Sequence, residues 1–365
     1  MPEADLSVVG DHFILGLQPT PDLSEKDRRL LQRLQPAGIV LFKGNFDQEA
    51  PYEVWLSRHE RLIEDVREAC GREKLLIGID HEGGRVTRTP APITRFAAAA
   101  EWGAAAENVG RAMGQELASL GINISYAPSL DVNSNAENPV IGVRSLGSDP
   151  HEVARLGSVY RKGLEAEGVI ACPKHFPGHG DTSQDSHYQL PKVACDLETL
   201  HDRELVPFKR AISEGVTAIM TSHVMFPVLD ETYPTTLSKA VVDGLLRKDL
   251  GFQGAVVSDD VGMHAMDTFF KDETSMVTFL EAGHDLLMLC SHWTETERTL
   301  TMAASLIAAQ ETPGFDETVL APSRARVATL LSLARTNSVR PLSQETFERH
   351  SRVAALHHSE TAVVV

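Results

Sequence analysis

Fourteen residues, Lys174–His187 (KHFPGHGDTSQDSH), hold three histidines, two aspartates and a lysine. Two chemistries suit that density. His175, His179, Asp181, Asp185 and His187 could converge on a metal ion, since HxD and DxH spacings bring imidazole and carboxylate donors together. Alternatively, Asp185 could orient His187, as a carboxylate fixes the tautomer of a general acid/base imidazole. A third reading makes the segment a turn shaped by Pro177, Gly178 and Gly180, with solvated polar side chains. Asp259 directly follows the apolar run Val256-Val257-Ser258. A carboxylate there can attack an electrophilic carbon, ligate a cation or cap the next turn. Its neighbour Asp260 points the other way and suits a structural role.

These groups need elements to hold them. Eight short apolar runs recur: 12–17, 38–42, 75–79, 124–127, 169–172, 217–221, 255–258 and 285–289. They are continuously apolar, as strands buried on both faces are. Helical patterns lie between them at 49–69, 104–120, 152–167, 200–214, 239–250 and 274–282. Several end at a glycine (Gly121, Gly168, Gly215, Gly251, Gly283) before the next run, as C-terminal capping requires. Eight strands alternating with helices predict an α/β protein with a (β/α)8 TIM barrel. Helices are expected at 295–310, 322–335 and 343–356. The chain reads as one catalytic barrel domain over 1–336 and a helical C-terminal tail over 337–365.

The polar residues fall in phase with this plan. Asp80-His81-Glu82-Gly83-Gly84-Arg85 and Arg88 follow the third run; Asp131, Asn133, Asn138 and Arg144 follow the fourth. Lys174-His175 follows the fifth, His223 the sixth and Asp259-Asp260 the seventh. Barrel enzymes build their sites at these C-terminal strand ends.

Composition narrows the class. The chain has 365 residues and a formal net charge of −17. That acidity argues against a nucleic-acid partner, which needs a basic surface. The four cysteines are unpaired in spacing, as free thiols in a reducing compartment are. The first residues carry acids and no basic region of a signal peptide. No run approaches a membrane span. The expected location is the cytoplasm, with no membrane partner.

Four motifs, GIDHEGGRVTR (78–88), VIGVRSLGSDP (140–150), KHFPGHGDTSQDSH (174–187) and VVSDDVGM (256–263), occur in the order and spacing of glycoside hydrolase family 3. Over about residues 10–335 the chain resembles the family's bacterial β-N-acetylhexosaminidase branch, which works in peptidoglycan recycling. The resemblance implies a retaining exo-β-N-acetylglucosaminidase that removes non-reducing terminal GlcNAc from muropeptides. Asp259 would be the nucleophile that forms a glycosyl-enzyme intermediate, and His187 the acid/base with Asp185 as its partner. Asp80, Arg88, Arg144, Lys174 and His175 would bind the sugar. No cofactor or metal is implied, and a monomer is expected. Retaining glycosidases usually pair two carboxyls ~5–5.5 Å apart; here an imidazole replaces one. With an ordinary pKa of ~6.5, it can act as acid and base near neutrality. His81 and Val261-Gly262 depart from the common Gln and Leu-Ser, and the second domain of many members is not expected here. Alternatives are a related phosphorylase that uses phosphate as acceptor, a metal-dependent hydrolase using the histidine-rich loop, and a non-catalytic sugar-binding barrel.

Overall fold

The computed structural model describes residues 5–183, 190–270, 274–290, 296–310, 315 and 317–356. Seven of the eight apolar runs contain a strand, and the strand on the run 255–258 extends past it through Asp259 and Asp260: β1 Phe13–Gly16, β2 Gly38–Leu41, β3 Leu76–Ile79, β4 Ile124–Ser125, β5 Ile170–Ala171, β6 Ala218–Thr221, β7 Ala255–Asp260 and β8 Leu286–Leu289. All ladders are parallel, in the order β5-β4-β3-β2-β1-β8-β7-β6. Helices alternate with them, so the expected (β/α)8 barrel is the observed fold.

The seam between β5 and β6 closes differently. Pro128 and Pro173 follow β4 and β5 within a few residues, and a proline has no N–H to donate to a ladder. Regular pairing therefore stops early, but the chain continues beside its neighbours. Leu130 N–H donates to Lys174 O (2.6 Å), Phe176 N–H to Met220 O (2.9 Å) and Ser222 N–H to Phe176 O (2.9 Å). The segment that closes the barrel is thus the same one that carries Lys174 and His175.

Alternate strand residues divide between two apolar layers, as a two-residue period requires. Ile14, Val40, Leu76, Ile124, Met220, Val257 and Met288 cluster with Val327 and Leu330 of the helix Glu317–Leu333. Phe13, Leu15, Ile39, Leu41, Ile77 and Ile79 pack instead among the surrounding helices. The helix Glu317–Leu333 lies across the end where the strands begin, tied there by Arg326 to Asp285 (2.8 Å).

Local signals set most helix ends. The expected terminal glycines take left-handed conformations, Gly121 at φ +77° and Gly283 at +109° among them. Asp149 caps Pro150–Ala166 by accepting from Glu152 N–H. The helix Glu25–Leu34, which the periodicity reading passes over, starts at Ser24, whose hydroxyl accepts from Asp27 N–H. The segment after 336 lies along the barrel wall: Arg340 N–H donates to Ser119 O (2.9 Å). The helix Gln344–Ala355 then docks through Phe347 against Tyr52 and through His350, whose Nδ1 lies 2.7 Å from Glu116 Oε1. No helix among the described residues is long and apolar enough to cross a membrane.

Candidate active site

Asp80 and Glu82 sit two residues apart past β3 and both reach the fifth-strand segment. Lys174 Nζ lies 2.5 Å from Asp80 Oδ1 and 2.7 Å from Glu82 Oε1. Arg144, from the loop after β4, grips Glu82 with two parallel bonds of 2.7 and 2.8 Å. Burial alone would raise the Glu82 carboxyl, but Arg144 and Lys174 outweigh it and hold the group well below the usual carboxylate range. Burial opposes the charge of Lys174 as well; Asp80 and Glu82 reverse that effect and raise its pKa. The result is a fixed lattice of two cations and two carboxylates.

A second cluster carries the imidazoles. Asp131, fully buried at the end of the β4 segment, accepts from Ser129 Oγ (2.8 Å), His175 Nδ1 (2.7 Å), His175 N–H (3.2 Å) and His179 N–H (2.8 Å). Burial would raise this carboxyl, but His175, His179 and Ser129 keep it below the ordinary range. Burial lowers the His179 imidazole to about 4, so it is neutral near pH 7.

The loop beyond is pinned as far as Thr182. Asn138 Nδ2 donates to His179 O (2.8 Å) and Gly180 O (3.0 Å), and Arg203 bonds Asp181 at 2.5 Å. Gly180 has no alternative, since a Cβ there would lie 1.7 Å from Val132 O. Asp185 and His187, expected as the acid/base pair, lie outside the described residues.

Asp259 is the penultimate residue of β7 and the least buried residue of an otherwise sealed strand. Asp260 N–H donates to its Oδ1 (2.8 Å). Burial would raise its pKa; the electrostatic influence of His223, His175 and Lys174, with the Asp260 N–H, instead brings it to about 2. Asp260 turns to the backbone and accepts from Gly262 N–H (2.9 Å) and Cys290 N–H (2.8 Å), a structural tie as expected. His223 supports the same strand end, with Nε2 donating to Asp260 O (2.9 Å) and Nδ1 2.6 Å from the Thr236 hydroxyl.

Asp80, Arg88, Arg144, Lys174, His175 and Asp259 all line one cleft of about 350 Å³. The structure therefore brings together every expected site residue that it describes. Arg88 lies over the Phe42 ring at 5.7 Å. Glu82, Arg85 and His179 line the cleft too. The sequence places Glu82 and Asp131 at strand ends without giving either a role. For Glu82 the signal was its i, i+2 relation to Asp80, which places both on one side of an extended chain. His81, buried behind the cleft, has its imidazole lowered by burial to about 4. No cluster of three or more metal-ligating side chains occurs among the described residues.

An ionised carboxylate at the mouth of a parallel barrel, ringed by fixed hydrogen-bonding groups, defines the class: a (β/α)8-barrel enzyme with its site at the C-terminal strand ends. The N-terminal domain of glycosyl hydrolase family 3 matches residues 6–330, and the chain belongs to that family of glycoside hydrolases. It is 35% identical over 334 residues to a beta-hexosaminidase A from Pseudoalteromonas piscicida, covering 85% of this chain and 55% of that relative. This chain thus spans little more than half of that protein's length. Among solved structures, a family 3 beta-N-acetylglucosaminidase from Paenibacillus sp. str. FPU-7 is similar with a TM-score of 0.85 and 35% identity, over 97% of this chain and 68% of that one. NagZ from Neisseria gonorrhoeae, in complex with N-trifluoroacetyl-D-glucosamine, is similar with a TM-score of 0.69 and 30% identity, over 88% and 98%.

Proposed function

We propose that this chain is a retaining exo-β-N-acetylglucosaminidase that removes non-reducing terminal GlcNAc from peptidoglycan-derived muropeptides, working in the cytoplasm as a monomer. The observation that carries the reading is Asp259, an ionised carboxylate at the end of β7 that lines the same cleft as the Asp80–Lys174 pair and the imidazole of His175. The volume of about 350 Å³ is at the low end of the ~300–1,000 Å³ typical of small-molecule pockets, which suits one terminal sugar better than a continuous chain. The names of the relatives support the same substrate class.

In this mechanism Asp259 attacks the anomeric carbon while the bond to the leaving oxygen breaks and His187 supplies that oxygen's proton. Water then attacks the glycosyl ester, His187 takes its proton, and Asp259 leaves as a carboxylate. Asp185 holds the His187 tautomer. Asp80, Arg88, Arg144, Lys174 and His175 orient the sugar hydroxyls, and no step needs a metal or cofactor.

The test is turnover of a chromogenic β-GlcNAc glycoside. Wild type is expected to hydrolyse it, and Asp259→Ala to lose about 10³-fold or more in kcat. An inert wild type, or a variant that matches it, would sink the reading. Phosphate-dependent release of a sugar phosphate would move the enzyme to the phosphorylases, and loss of turnover on exhaustive chelation to the metal-dependent hydrolases.

A further inference from the structure

We infer that Asp131 is a positioning residue for the glycosidase reaction: it fixes the proton of His175 on Nδ1 and presents Nε2 of that ring to the sugar as an acceptor. This rests on the proposed glycosidase reading for its catalytic consequence but not for its structural content. Asp131 is fully buried, and four donors converge on its two oxygens. Oδ1 takes the backbone N–H groups of His175 and His179, and Oδ2 takes the Ser129 hydroxyl and the His175 ring.

An ionised carboxylate can only accept, so the ring nitrogen facing it must donate. In a neutral imidazole the other nitrogen is then an acceptor. Since His175 lines the cleft together with Asp259, that lone pair is available to a substrate hydroxyl. Asp131 acts on the loop as well. By taking the His179 N–H it ties the β4 segment to the start of the loop that leads to Asp185 and His187. One carboxylate therefore sets both the polarity of a sugar contact and the origin of the loop.

Asp131→Asn separates these roles. The amide oxygen can keep both backbone N–H donors, while the NH₂ group takes the place of Oδ2. The Ser129 hydroxyl can accept from that NH₂, but the His175 ring can accept only if its proton moves to Nε2. The cleft-facing nitrogen changes from acceptor to donor with almost no change in shape.

Two measurements test this on the whole chain. Nitrogen-15 NMR of the imidazoles, with His175 assigned by its loss in His175→Ala, should show the Nδ1–H tautomer in wild type and Nε2–H in Asp131→Asn. An Nε2–H tautomer in wild type near pH 7, or an imidazolium with both nitrogens protonated, overturns the inference, and this result stands even if Asp131→Asn does not fold. In kinetics, Asp131→Asn should lower kcat/KM by about 10- to 100-fold, as misplaced site groups do. The same change in a His175→Ala background should cost less than about 2-fold, because the group it acts through is gone. Equal losses in both backgrounds would mean a general structural role and overturn the inference. If wild type does not cleave the glycoside at all, the proposed function fails, and the tautomer measurement still decides the part played by Asp131.

Discussion

Lys174 Nζ lies 2.7 Å from Glu82 Oε1, and both side chains are almost sealed from solvent, at 3% and 4% exposure. Neither charge could be buried alone; each is there because the other is, with Asp80 and Arg144 completing the set. Glu82→Gln is nearly isosteric but removes the charge, leaving Arg144 without a carboxylate partner and Lys174 with Asp80 alone. It should lower stability by about 3 kcal/mol. It should also raise KM for a β-GlcNAc glycoside by about 10-fold, with a smaller effect on kcat. Urea melts and steady-state kinetics check both; unchanged stability would show that the lattice is not a structural unit.

The nucleophile's acidity makes a pH prediction. With Asp259 brought to about 2, its carboxylate stays ionised across the range where ordinary aspartates titrate. Its folded pKa is depressed, so the stability linked to it is fully present above the unfolded value near 3.8 and is lost as pH falls toward about 2. Glu82 and Asp131 are depressed in the same direction. Thermal stability should therefore hold between neutrality and about pH 4.5 with respect to these three groups and fall steeply below. The part of the acid limb of kcat/KM that Asp259 sets, isolated in a His175→Ala background, should lie below about pH 3 or coincide with unfolding. An acid limb centred near pH 4 in folded His175→Ala enzyme would contradict the geometry described for Asp259.

Glu204 works in the opposite sense. It lies under the loop, at the end of the wide helical turn Leu200–Glu204, and burial raises its carboxyl to about 7 even though Arg203 bonds it at 2.7 Å. Because the folded pKa is raised, its contribution to stability is full below the unfolded value near 4.5 and is lost as pH rises through about 7. The loss amounts to about 3 kcal/mol at ~1.4 kcal/mol per unit. Unfolding free energies at pH 4.5 and pH 8 should differ by less in Glu204→Gln than in wild type. Equal differences would exclude Glu204 as the source.

The C-terminal helix gives a prediction about the barrel wall. His350 Nδ1 meets Glu116 Oε1 at 2.7 Å, and Glu116 also accepts from Thr94 N–H (3.0 Å) and the Thr94 hydroxyl (2.6 Å). Thr94 belongs to the same long loop that begins at Asp80. His350→Ala should cost about 3 kcal/mol by leaving a buried carboxylate short of a partner. KM should change by less than about 2-fold, because both Thr94 bonds survive. A large rise in KM would show that the helix itself sets the loop.

The sequence by itself determined the barrel and most of its contents. Eight apolar runs such as Gly38–Phe42 leave few alternatives to strands covered on both faces, and glycines such as Gly121 and Gly283 end helices for reasons local to one residue. The motifs around Asp80, Lys174 and Asp259 sit at strand ends, so their meeting followed from the fold class alone. The helix Glu25–Leu34 was legible in its Ser24 cap and the acids that follow, a local signal that apolar periodicity alone does not register. Only the tertiary structure decided which charges pair. Nothing in the chain order says that Arg144 and Lys174 share Glu82, or that Asp131 takes four donors from Ser129, His175 and His179. Those choices depend on which neighbours exclude water, because a buried charge must find its partner across space and not along the sequence.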